Sequence, residues 1–315
     1  LTLSLLLGLG SSFAAAEEYP AHPIHILVGL SAGSTSDILA RALGQKMNEA
    51  WGEPVVVDNR PSAGGISAAS AVAAAAPDGY TLLLVSAGHA ATAAMFAKLP
   101  YDTLKDFAGV GRIANVPSIL VVSPALGVKS VKDLIALARA KPGQLNFSSP
   151  GVGSANHLAG ELFVSLAGIR AVHVPYKGTP EAMMAVMSDS IQFNFSPVTN
   201  VTPLSHDGKL LALATSTGKR VASMPELPTV AEAGVPGYRF DPWYGLLAPA
   251  HTPRVILEKL SHELALIVEL PDVKEKLRNL GAEPSPTSPE AFDNLVRSEV
   301  AKFERIVREA HIQPE

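Results

Sequence analysis

The stretch His25–Arg41, HILVGLSAGSTSDILAR, decides how the rest of the chain is read. Ile24, Ile26, Leu27 and Val28 make an apolar, partly β-branched run, which predicts a strand. Gly29, Gly33 and the hydroxyls of Ser31, Ser34, Thr35 and Ser36 make a small-residue turn. Ile38, Leu39, Leu43 and Met47 follow at helical spacing and predict a helix with one apolar face. Ser34 with Asp37 three residues later fits a capping pattern at its start. A strand that turns directly into a helix leaves first-turn N–H groups unpaired, and the helix dipole adds positive potential there. The stretch predicts either an ordinary strand-to-helix turn or a loop that accepts an anion.

Outward from this unit the alternation continues. Pro54–Val57 reads as a strand, followed by the turn-rich Asp58–Gly65 and an alanine-rich helix over Ile66–Ala75. Pro77-Asp78-Gly79 stops that helix, and Tyr80–Val85 is the next strand, opening into Ser86-Ala87-Gly88-His89. Val116–Val122 is a strand and Lys129–Lys141 a helix. Leu145–Phe147 then leads through the hydroxyl-rich Ser148–Ser154 into a helix from about Asn156, repeating the chemistry of the opening stretch without its letters. Glu181–Met187 is a helix whose Met183, Met184 and Met187 are read as core. Ile191–Phe195, Leu210–Ala214 and Asp241–Leu247 are strands, and Pro253–Leu270 and Pro289–Ala310 are helices. Alternating strands and helices predict mainly parallel sheets flanked by helices, with ligands beyond the strands' carboxyl ends. The loops at Gly33, Gly64 and Gly88 are the places to look.

Composition narrows the function. The 315 residues are 47% hydrophobic and 17% charged, with formal net charge −4, so no nucleic-acid partner is expected. A local anion site built from N–H groups and hydroxyls needs no net positive charge. Leu1–Phe13 is apolar but too short to span a bilayer, and Ala14-Ala15-Ala16 precedes two glutamates. Residues 1–16 are therefore read as the remnant of a secretory signal peptide, and the mature protein as exported and soluble. With no cysteine, disulfides, thiol catalysis and cysteine metal sites are excluded.

Gly29-Leu30-Ser31-Ala32-Gly33 matches G-x-S-x-G, the nucleophile elbow of hydrolases, and would make Ser31 a nucleophile. Against it, the motif sits on the first mature strand, the turn is widened by Ser34–Ser36, and no Asp and His stand out as partners. Gly151-Val152-Gly153 lacks the last glycine of a dinucleotide loop. The nine histidines show no zinc spacing. No cofactor and no metal are expected.

The motifs YPAHPIHILV, PVVVDNRPSAGG, APDGYTLLL, YDTLKDFAGV, GVGSANHLAGELF, VHVPYKGTPEAM, LPTVAEAGVPGY and WYGLLAPAHTP occur in order along the chain. Together they resemble the periplasmic solute receptors of tripartite tricarboxylate transporters, the Bug receptor family. The resemblance implies an α/β, two-lobed periplasmic-binding-protein clam shell with the ligand cleft between the lobes. It implies one lobe from residues 20–110 plus 240–315, the other from 111–239, and crossings near Val116 and Trp243. It also implies carboxylate binding by the loop after the first strand and by the loop SSPGVGSAN, one from each lobe.

Two departures from the family pattern matter. The first loop is GLSAGSTSD, where relatives commonly carry prolines and an extra glycine, and Ser196 stands where many relatives have an aspartate. Without that acid a ligand ammonium loses its partner, which favours a dicarboxylate or aromatic acid lacking an amine. Ser31, Gly33, Ser34, Thr35, Ser36, Ser86 and His89 are the expected contacts from one lobe. Ser149, Gly151, Gly153, Ser154, Ala155 and Ser196 are those from the other. The expected role is a monomeric, non-enzymatic periplasmic receptor handing its ligand to transporter membrane subunits. The alternatives are a ligand-binding sensor for a signalling kinase, and a serine hydrolase using Ser31.

Overall fold

The computed structural model describes residues 18–279 and 281–309. The leader segment read at residues 1–16 lies outside them. In chain order come β1 (Ile24–Val28), α1 (Thr35–Trp51), β2 (Val55–Asn59), α2 (Ile66–Ala73), β3 (Thr81–Ser86), α3 (Ala87–Met95), β4 (Phe107–Asn115), β5 (Ser118–Val122), α4 (Val131–Ala140), β6 (Leu145–Ser149) and α5 (Ala155–Ala167). There follow β7 (Ala171–Pro175), α6 (Thr179–Met187), β8 (Phe193–Pro197), α7 (Val198–His206), β9 (Leu211–Thr215), β10 (Trp243–Pro249), α8 (Arg254–Glu269), α9 (Pro271–Asn279), β11 (Glu283–Pro284) and α10 (Pro289–Glu309).

The strands form two sheets, ordered β11-β4-β10-β3-β1-β2 and β7-β6-β8-β5-β9. This is the expected two-lobed α/β class, with one correction: the sheets are mixed. β1 is parallel to β2 and β3, and β6 to β7 and β8. β10 is antiparallel to β3 and β4, and β5 to β8 and β9. The chain leaves the first sheet on β4 and comes back on its neighbour β10, and a returning neighbour must run the opposite way.

Each sheet is covered on both faces, which is why its strands read as continuous apolar runs. Ile26, Val28, Leu82 and Leu84 pack with Leu39, Leu43 and Met47 of α1 and Leu260 and Leu264 of α8. Leu27, Leu83 and Val85 point the other way, toward α2, α3 and Phe292, Val296 and Phe303 of α10. In the second sheet Phe147, Phe193 and Phe195 pack with Leu158 and Phe163 of α5. Met183 is buried as expected, but Met184 is 60% exposed.

Three local readings differ. Ser86–His89 is not a loop: Ser86 caps α3 and Ala87 begins it. The helices α7 and α9 follow directly on β8 and α8, where Pro197 and Pro271 mark the breaks, and no gap in the apolar pattern announced them. β4 was also unexpected, because its two glycines and Arg112 hide the alternation.

The two connections between the sheets are tied together. Val116 N–H donates to Pro242 O at 3.2 Å, and Ser216 N–H to Ser118 O at 2.8 Å. Ser216 Oγ also donates to Phe240 O at 2.8 Å.

Candidate functional site

Four helix N-termini meet between the sheets, two from each. α1 meets α7: Thr35 Oγ1 lies 2.9 Å from Thr199 Oγ1 and donates to Asn200 Oδ1 at 3.0 Å. α3 meets α5 so closely that a Cβ on Gly88 would stand 3.0 Å from Ala155 N. Gly88 is therefore the residue that lets two first turns touch.

Serine hydroxyls cap these helices. Ser34 Oγ accepts from Asp37 N–H at 3.3 Å, Ser86 Oγ from Gly88 N–H at 3.2 Å and Ser154 Oγ from His157 N–H at 3.2 Å. A capping serine satisfies one donor and leaves earlier first-turn N–H groups without an intrahelical partner. At α1 those are the N–H groups of Thr35 and Ser36, and at α5 those of Ala155 and Asn156. They make the region receptive to negative charge.

A cavity lies among these termini, lined by Gly29, Leu30, Ser36, Gly64, Gly65, Ser86, Gly88, His89, Pro150, Gly153 and Ser154 among others. Among the described residues no charged side chain lines it. Its free volume for a water-sized sphere is about 50 Å³, room for a few such groups. His89 lies at its edge, stacked on Tyr101 and edge-on to Phe107, with Nε2 unpartnered among the described residues. Burial pushes the His89 pKa down to about 4, so it is neutral at pH 7. Burial likewise pushes Tyr244 up to about 12, with the Thr35 hydroxyl offsetting part of the effect.

Asp37 sits in the first turn of α1 but faces away from a ligand role. Its Oδ2 accepts from Gly33 N–H at 3.0 Å and its Oδ1 from Arg41 Nε at 3.0 Å. Burial by itself would raise its pKa, but the bonds from Arg41, Gly33 and Asn59 outweigh it and hold the carboxyl below its usual value.

Of the thirteen residues expected from sequence, Ser36, Ser86, His89, Gly153 and Ser154 line the cavity. Ser34, Thr35 and Ala155 form the capped first turns beside it. Gly33 is committed to Asp37. Ser149 Oγ lies 2.7 Å from His173 Nε2 and donates to Gly151 O at 2.9 Å, while Gly151 N–H donates back to it at 3.1 Å. Ser196 is buried and donates to Asn194 Oδ1 at 2.7 Å. Ser31 Oγ is buried without a hydrogen-bond partner among the described residues. Gly64 and Gly65 line the cavity but were expected only as a loop to inspect. Thr199 carried no signal, because it faces Thr35 from 164 residues away. No group of three or more His, Asp or Glu could hold a metal among the described residues.

The family model described as tripartite tricarboxylate transporter family receptor matches residues 39–312. BugT of Bordetella pertussis is 33% identical over 94% of this chain and 91% of its own length. A protein of Pseudomonas sp. strain P51, encoded between tcbD and tcbE, is 34% identical over 93% of this chain and 88% of its own length. Among solved structures, an R. palustris protein with adipate has a TM-score of 0.91 at 35% identity, covering 95% of this chain and 100% of the other. MatC from Rhodopseudomonas palustris with bound malate has a TM-score of 0.88 at 30% identity, covering 92% and 100%. With capped helix termini from two sheets around a cavity that no charged side chain lines, and with these matches along nearly its whole length, the chain belongs to the tripartite tricarboxylate transporter receptor family.

Proposed function

We propose that this protein is a periplasmic receptor that captures a small carboxylate, a dicarboxylate or an aromatic acid lacking an amine, for uptake by a tripartite tricarboxylate transporter. The observation that carries the reading is the facing of α1 and α3 from one sheet against α5 and α7 from the other. Each end offers N–H groups and hydroxyls, and the cavity between them is lined by no lysine or arginine. Such ends recognise carboxylate oxygens by geometry, and a ligand with two acceptor ends engages both lobes. Adipate and malate, the ligands named for two relatives, have that form.

The ligand enters when the lobes part. Closure is favoured because contacts on both sides form only when the lobes meet. The closed shape is then read by the transporter's membrane subunits. The protein acts as a monomer, exported on the leader segment, and performs no catalysis. Ser31 supports this, since it faces the other lobe with no histidine bonded to it.

The test is thermal unfolding against mono-, di- and tricarboxylates, aromatic acids and amino acids. A ligand that binds only the native state raises the midpoint by mass action. A rise of several degrees with one diacid, absent with its monoester, is expected. A flat response to every acid, together with Ser31-dependent ester hydrolysis, overturns the reading.

A further inference from the structure

A second cavity lies where the two connections between the sheets run, and it shares no lining residue with the cleft. Its volume is about 360 Å³, within the roughly 300–1,000 Å³ of small-molecule sites. Asn115 at the end of β4 and Pro117 of the outgoing connection border it, with Thr217, Lys219 and Asp241 of the returning one. Leu295 of α10 and Trp243 of β10 supply apolar wall.

Its charged groups sort into two sets. Arg220, Arg239 and Lys302 already hold Glu232, Asp241 and Glu299, at 3.0, 2.6 and 3.0 Å. Arg112 and Lys219 make no ion pair among the described residues. Arg112 is half-buried, and its Nε donates to Ser285 O at 2.9 Å. Its terminal amino groups have no protein acceptor among the described residues. Burial pushes its pKa down, the mark of a cation stripped of water without a compensating anion. The Asn115 amide is likewise without a side-chain partner there. Glu283, the one lining acid with no ion pair among the described residues, is exposed.

We propose that this cavity is a second binding site, taking a small monocarboxylate with a short apolar tail. The carboxylate meets the planar guanidinium of Arg112, which is shaped for two-point contact with it. The Lys219 ammonium adds charge from the returning connection, and the tail lies against Trp243 and Leu295. A ligand there bridges β4, through Arg112, and the returning connection, through Lys219, beside Pro117 of the outgoing one, so the site is set in the hinge and not in the cleft.

Trp243 provides the readout. The chain has two tryptophans, so Trp51→Phe leaves Trp243 as the sole tryptophan, excited selectively over the tyrosines at the red edge of its absorption. Sodium butyrate is titrated against this protein at constant ionic strength, with sodium chloride as the control. A saturable change in emission is expected, weakened at least about tenfold by Arg112→Gln and measurably by Lys219→Gln. Lys219 is exposed, so its replacement tests the site even if the Arg112 variant folds poorly. Ser36→Phe, which fills the cleft, is expected to leave the butyrate response intact while abolishing the response to cleft ligands. No saturation, wild-type affinity in both charge variants, or loss of the response in Ser36→Phe overturns the proposal.

Discussion

Gly178→Ala separates closing from folding. Gly178 precedes α6 with φ −169° and ψ 172°, extended backbone that alanine adopts without strain. Its own lobe has room for the methyl: the nearest atom there is Glu181 Oε2 at 2.8 Å, the far end of an exposed, flexible side chain. Across the cleft there is no room. The added Cβ would overlap the Ser31 hydroxyl and stand 3.2 Å from Ser31 Cβ. The variant therefore folds normally and pays only on closure. Overpacking of this kind costs about 1–3 kcal/mol, which weakens ligand affinity by roughly 5- to 150-fold. Calorimetric titration with the acid that most raises the wild type's unfolding midpoint measures the loss. Thermal unfolding without ligand should be unchanged within about a degree. Ser31→Gly in the same chain removes the clash and should restore most of the affinity, a coupling that a double-mutant cycle isolates. An unaltered affinity refutes the reasoning, as does a failed rescue or an equal loss of ligand-free stability.

Three further outcomes follow from the same geometry. Asp37→Asn should destabilise the protein by about 1–3 kcal/mol at pH 7; because the folded carboxyl titrates below its unfolded value of about 3.9, that difference is present above about pH 4 and disappears as pH falls through the lower folded value, so urea midpoints of the two proteins should converge in acid. Burial, with the His157 charge second, pushes His173 down to about 3, and burial pushes His89 down to about 4. The folded state keeps both neutral where the unfolded chain takes up protons, so stability falls below about pH 6.5 with a slope of up to about 1.4 kcal/mol per pH unit for each; His173→Gln should flatten the curve, and parallel curves would contradict it. Phe163 is fully buried, edge-on to Phe193 and Phe195 with ring centroids at 5.8 Å, so Phe163→Ala should cost about 3–5 kcal/mol in denaturant unfolding with an unchanged m-value.

Much of the fold was legible because its causes are local. β1 and α1 follow from an apolar run and a helical stripe within His25–Arg41, and α10 begins at the expected Pro289, where Ser288 Oγ accepts from Ala291 N–H at 3.2 Å. Ser34 was legible as a terminus for the same reason: the cap bonds an N–H three residues along its own chain. The Gly and Arg residues of β4 broke the period, and α7 and α9 gave no separate signal because each starts where the previous element stops.

The sequence by itself determined the alternation of strands and helices, the continuous apolar strands of twice-covered sheets, and the capped turns able to accept an anion. Only the tertiary structure decided which of those turns face one another and which hydroxyls are free. Ser149 and Ser196 are among the expected contacts, and the fold bonds their hydroxyls to His173 and Asn194 of the same lobe. Thr199 read like nothing, yet it meets Thr35 across the cleft. The physical reason is that a cap is settled within four residues, whereas a hydroxyl's direction and a contact between lobes depend on competing partners brought in by strands far away in the chain.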